Sequence, residues 1–158
     1  EAERNRKMFD KFFTTYNRTD AQERAQDLIT ACAVARTEGG PHKVVLCGTG
    51  AAGLWALLAA PAADAVVADC DALAADDDQA LLTPALFVPG LRRLGGFEGA
   101  ALLAAPNPLL LHHTGHHFPT ATLRAAYAGI GASKLLGIET ARLDDDTLAA
   151  QITHLPLR

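Results

Sequence analysis

Serine occurs once in this chain of 158 residues, at Ser133, so only one position is open to a serine nucleophile. Cysteine is sparse too: Cys32, Cys47 and Cys70 are odd in number and all lie inside apolar runs. That excludes a disulfide framework and predicts buried, reduced thiols, which favours a reducing compartment such as the cytoplasm. No apolar run approaches the roughly 20 residues a membrane helix needs, and no signal-peptide pattern opens the chain. The chain begins at Glu1 rather than methionine, which is consistent with removal of an upstream segment. A basic excess is also missing. The formal net charge is -4, which gives no electrostatic footprint for nucleic acid. No staple is required, because a domain of this length buries roughly 70% of the surface its unfolded chain exposes.

What is present is organised around residues 43–71, KVVLCGTGAAGLWALLAAPAADAVVADCD. An apolar β-rich run leads into a glycine turn, an Ala/Leu helix and a second apolar run ending in acid. A buried parallel strand reads as a continuous apolar run and needs a crossover to reach its parallel neighbour, so this order predicts a βαβ unit.

Around it the chain divides readily. In residues 1–16, Met8, Phe9, Phe12, Phe13 and Tyr16 recur at helical spacing and predict an arm or helix that docks on the core. Thr19 with Gln22 fits a capping box, and Ala21, Ala25, Leu28, Ile29 and Cys32 mark an amphipathic helix ending at Gly39-Gly40-Pro41. Strands are expected over 43–47, 65–68, 108–113 and 134–139, and helices over 51–60, 98–105, 120–128 and 144–152, with a long loop over 84–97. Asp76, Asp77 and Asp78 cannot all face one ion and predict a solvated loop or helix start. The fold class is therefore α/β: a three-layer sandwich with a short, mainly parallel sheet of about four strands flanked by helices. It forms a single domain over 1–158, with an N-terminal arm over 1–18.

Gly48-Thr49-Gly50-Ala51-Ala52-Gly53 matches G-x-G-x-x-G after a strand and before a helix, and Asp69 follows 21 residues after Gly48. That context fits a dinucleotide site, with glycines admitting a pyrophosphate and the acid holding a ribose hydroxyl. Such a site needs a second mononucleotide-binding half, and none is recognisable after Asp71. No cofactor is otherwise called for.

The residues also carry a resemblance. FFTTYNRTDAQERAQDLITACAVAR (12–36), VVLCGTGAAGLWALLAA (44–60), FVPGLRRLGGFEGAALLAAPNPLLLHHTG (87–115) and AAYAGIGASKLLGIE (125–139), in that order, resemble the α/β-hydrolase superfamily. The likeness is to esterase-like bacterial members near acetyl xylan esterases and dienelactone hydrolases, and residues 19–158 would match the second half of such a domain. The resemblance implies that residues 48–53 form the nucleophile elbow, G-x-S-x-G, whose strained turn exposes a serine. Here Gly50 takes the serine position. The loop where the family acid is expected reads Thr114-Gly115-His116-His117 without a carboxylate, and only His154 follows the last strand. With nucleophile, acid and base all missing from their family positions, the resemblance implies a binding, assembly or scaffold module. Gly50→Ser alone is then expected to give no appreciable esterase activity.

Two alternatives stay open beside it: an esterase-type hydrolase using an unassigned nucleophile or a histidine-bound metal, and a dinucleotide-binding module. Thr49 is exposed by the turn but has no base assigned. His112, His113, His116 and His117 form the most unusual local cluster, and a zinc with an open position could activate water there. Successive strand residues face opposite ways, however, so His112 and His113 are expected to part. Asp69 and Asp71, ending the neighbouring strand, are the acids expected at the same sheet edge. The candidate pocket is thus Gly48, Thr49, Gly50, Ala51, Asp69, Asp71, His113, His116 and His117. If half of a hydrolase sheet is absent, the 43–47 strand has an open edge. A second copy, a partner chain or the arm over 1–16 is expected to cover it.

Overall fold

A reciprocal capping box opens the longest helix. Thr19 Oγ1 accepts from the Gln22 amide and Gln22 Oε1 accepts from the Thr19 amide, starting helix α2 (Asp20–Thr37). The same hydroxyl donates to the Phe87 carbonyl at 2.6 Å, tying the helix start to a segment 68 residues away. The computed structural model describes residues 13–38 and 42–157. A single helical turn, α1 (Phe13–Tyr16), precedes α2. Tyr16 is 85% exposed, so the docking expected of this stretch is not seen at that residue. Met8, Phe9 and Phe12, like the Gly39-Gly40-Pro41 helix stop, lie outside the described residues.

The core elements follow in chain order: β1 (Val45–Gly48), α3 (Ala51–Leu58), β2 (Ala65–Asp69), α4 (Asp78–Leu81), α5 (Gly96–Leu102), β3 (Leu109–His112), α6 (Ala121–Gly129), β4 (Leu136–Ile138) and α7 (Asp145–Thr153). The four strands are parallel and lie in sequence order β1-β2-β3-β4. Each crossover contains a helix, as parallel neighbours require. Alternation sorts the side chains. Leu46, Val66, Ala68, Leu109 and Leu111 meet α3, α5 and α6 in the main core, whereas Val67 and Leu110 meet Leu148 of α7 on the other face. The α/β fold read from the sequence is the fold observed.

Several boundaries move, each for a local reason. β1 starts at Val45 rather than residue 43, because Asp64 draws the preceding segment aside, accepting from the Val44 amide at 2.8 Å and pairing with Lys43 at 3.8 Å. β4 is short because Ser133–Leu135 winds into a 3-10 turn. The 84–97 stretch is not one loop: Leu91–Leu94 forms a 3-10 turn and α5 begins at Gly96. Asp77 caps α4, as a helix start predicts, accepting from the Gln79 amide at 2.8 Å. Cys47 is a plain correction. Cys32 and Cys70 are buried, but Cys47 is exposed. It shares a face with Val67, its register partner, on a strand that is terminal in the sheet among the described residues.

Candidate functional site

Three strand ends converge on one carboxylate. Asp69 closes β2 and is 1% exposed. Its Oδ2 accepts from the Gly50 amide at 3.0 Å, in the turn after β1, and its Oδ1 accepts from the Asp71 amide at 2.8 Å. His113, just past β3, places Nδ1 3.0 Å from Oδ1. Arg142, in the loop after β4, brings Nε to 3.7 Å from Oδ2. Burial alone pushes the Asp69 carboxyl up, but the two amides and the His113 ring outweigh it and hold the group below its usual range. It is an ionised, fully partnered anion at the centre of the site.

The glycine turn has two kinds of glycine. A Cβ on Gly48 would collide with the Ala52 carbonyl, and one on Gly53 would collide with the Asp69 backbone, so these two permit the close seat of α3 against β1 and β2. Gly50 is different. It caps α3 with φ 56° and ψ −141°, a conformation that costs a residue with a Cβ about 1–3 kcal/mol. No described atom outside its chain neighbours comes within 4 Å of where a Cβ would stand. The backbone turns from β1 into α3 through a conformation that glycine adopts freely, and it carries no side chain there.

Left-handed backbone is not confined to glycine. Asp71, Ala72 and His113 have φ of 52°, 47° and 55°, all in the turns leaving β2 and β3. Left-handed backbone is uncommon for residues with a Cβ and gathers where a site over-determines the geometry. The His113 turn is held by its amide, which donates to the Ala141 carbonyl, and by Thr114, whose amide and hydroxyl both donate to the Glu139 carbonyl.

Strand alternation is expected to send His112 and His113 to opposite faces, but His113 is left-handed and its ring turns onto Asp69, the register partner of His112. His112 is buried on the α7 face, where its Nδ1 accepts from the Leu143 amide at 3.3 Å. Its Nε2 is a buried side-chain atom without a partner among the described residues. Burial, against the pull of Asp69, holds its imidazole below the ordinary range. His116 and His117 sit exposed on the turn beyond His113 and do not join the cluster. Of the candidate pocket residues, the hydrogen bonds join Gly50, Asp69, Asp71 and His113, flanked by Gly48, Thr49 and Ala51 of the turn. Arg142 was missed, and position was the available signal: it stands after the last strand, where only a histidine was sought.

Ligand atoms of Asp69, Asp71 and His113 lie within 4.8 Å of one another, so among the described residues these three, not the four histidines, are the group that could hold a metal ion. The guanidinium of Arg142 beside Asp69 opposes a cation there, and Asp69 already has its partners. For a dinucleotide, Asp69 is turned inward onto Gly50 and His113 rather than outward to a ribose. A separate open hollow of about 320 Å³ lies in the β2–β3 connection, lined by Leu81, Leu82, Leu86, Val88 and Leu91, with the Arg92–Asp78 ion pair at its wall. The chain matches no model of a known protein family and no curated protein.

Proposed function

We propose that this chain is an α/β-hydrolase-like module that has lost its serine nucleophile and serves in binding or assembly rather than ester hydrolysis. The observation that carries the reading is Gly50: at the position where the hydrolase resemblance puts the nucleophile, the turn has a left-handed glycine and no side chain. A hydroxyl or thiol attached at this point is what covalent acyl transfer requires. The sheet order, parallel and in sequence order, supports the correspondence with the second half of a hydrolase domain.

Assembly would use the outer edge of β1. It is a terminal strand of the sheet among the described residues, with Cys47 exposed on it and Ile29 and Val34 exposed on α2. Open edges of this kind pair with other chains unless something covers them. The cover would be a second copy of the chain or a partner protein. No described helix is long and apolar enough to cross a membrane.

Turnover of a short acyl ester, followed against protein concentration with and without chelator, tests the catalytic half of this reading. The expected result is no rate above buffer. Turnover proportional to protein would overturn it, and loss of that turnover with chelator would direct attention to the Asp69–Asp71–His113 group. Sedimentation of the intact chain tests the assembly half, where a lone monomer that binds no partner is the adverse result.

A further inference from the structure

Asp69 and His113 are separated by 44 residues in sequence, yet they meet in a geometry that orients a base. The carboxylate is held independently of the ring, because the Gly50 and Asp71 amides each donate to one of its oxygens. The ring then lies with Nδ1 against Oδ1 at 3.0 Å. In the neutral imidazole an Nδ1–H donated to the carboxylate leaves the lone pair on Nε2. Unlike buried His112, the His113 side chain is 31% exposed, so this nitrogen belongs to a ring that solvent and ligand can reach. The same carboxylate that holds the ring holds Gly50, at the one point of the turn where a side chain would find open space.

We propose that His113 and Asp69 form a general-base dyad beside the turn, with Asp69 as the positioning residue, and that a hydroxyl at position 50 is the group this site lacks to act on a short acyl ester. The acid comes from the end of β2 and the histidine directly follows β3, whereas the hydrolase resemblance puts them in the 114–117 loop and in the segment after β4. This removes the premise on which Gly50→Ser was expected to be inert. With a hydroxyl introduced, its proton passes to His113 Nε2 as its oxygen bonds to the acyl carbon, and the carbonyl electron pair moves onto the carbonyl oxygen. Collapse breaks the ester C–O bond, and the proton leaves with the alcohol. Water then gives its proton to the same nitrogen, attacks the acyl carbon and releases the acid, returning the proton to the introduced oxygen. The Ala51 amide opens α3, and a first helical N–H has no intrahelical acceptor, so it is a donor available to the developing oxyanion.

The test is Gly50→Ser assayed on 4-nitrophenyl acetate, with Gly50→Ala as the control for the added Cβ. The expected gain over Gly50→Ala is on the order of 10²-fold, the lower end of what a positioned base supplies. It should vanish in Gly50→Ser/His113→Ala and fall in kcat with KM unchanged in Gly50→Ser/Asp69→Asn. A folded Gly50→Ser variant no faster than Gly50→Ala overturns the proposal. Should Gly50→Ser not fold, the imidazole ¹⁵N resonances of the unaltered chain decide: a proton on Nδ1 and a bare Nε2 support the dyad, and a proton on Nε2 of the neutral ring overturns it. The outcomes separate from those of the preceding reading, since ester turnover by the unaltered chain sinks that reading alone, and an inert Gly50→Ser sinks this one alone.

Discussion

The two faces of the sheet carry different burdens. On the first, Leu54, Leu57, Phe97, Leu123 and Tyr127 are all buried over Val66, Ala68, Leu109 and Leu111. On the second, one helix brings Leu148 onto Val67 and Leu110. At its upper end that face carries Asp69 and His112, register partners on β2 and β3, where the first continues with hydrocarbon. Each fully buried large apolar side chain contributes roughly 1.5–3 kcal/mol, so the first face supplies most of the stability. The second face is where polar groups are tolerated, because strand ends and turns supply the amides that an enclosed carboxylate needs.

Truncation on each face tests this division most strongly. Phe97→Ala should cost about 3–5 kcal/mol in chemical denaturation, while Leu148→Ala should stay near the lower end of its range, roughly 2–3 kcal/mol. Equal losses would erase the distinction. A sharper contrast lies between two helical glycines. Gly53→Ala drives a Cβ into the Asp69 backbone and should cost about 1–3 kcal/mol. Gly129→Ala, in open space at the end of α6, should be neutral or stabilising by up to about 1 kcal/mol. A Gly53→Ala variant as stable as Gly129→Ala would mean that α3 is not seated on β2 as described.

The smallest effect is in the pH dependence of the polar face. His112 titrates below its ordinary value because burial disfavours its charged form, so the unfolded chain binds the proton first. Stability is therefore full above about pH 6.5 and declines as pH falls below that value toward the folded pKa. Asp69 has the opposite origin and a lower window. Its carboxyl is held down by its partners, so its contribution is present above about pH 3.9 and is lost as pH falls through the folded value. Acid unfolding should thus show two phases, each smaller than the loss from Phe97→Ala. His112→Asn, which keeps an acceptor for the Leu143 amide, should remove the upper phase. Its persistence would assign that phase to another group.

Much of the fold was legible because its signals are local. The Thr19–Gln22 capping box, the acids that start α7 and the apolar runs of β2 and β3 depend on neighbours within a few residues. The site was legible only as a set of parts. Asp69, Asp71 and His113 stood out singly, but their meeting depends on the register that pairs Asp69 with His112 and on a left-handed residue at His113. Neither is a feature of composition or spacing. Cys47 was misread for a related reason: an apolar run marks a buried strand only where another strand or helix lies on each side. Arg142 follows a strand of three residues, too short to fix by pattern which loop returns to the sheet edge.

The lone tryptophan offers a readout of the segment that crosses the main core. Trp55 Nε1 donates to the Ala85 carbonyl at 2.7 Å, and Arg24 lies 5.8 Å from the ring centroid. The indole therefore has a hydrogen-bond partner in the β2–β3 connection and a cation from α2 within reach of its π face. Emission from this one fluorophore reports whether the connection is docked on α3. Its wavelength and quenching should change when that segment lifts away, even while the far-ultraviolet signal of the helices is unchanged.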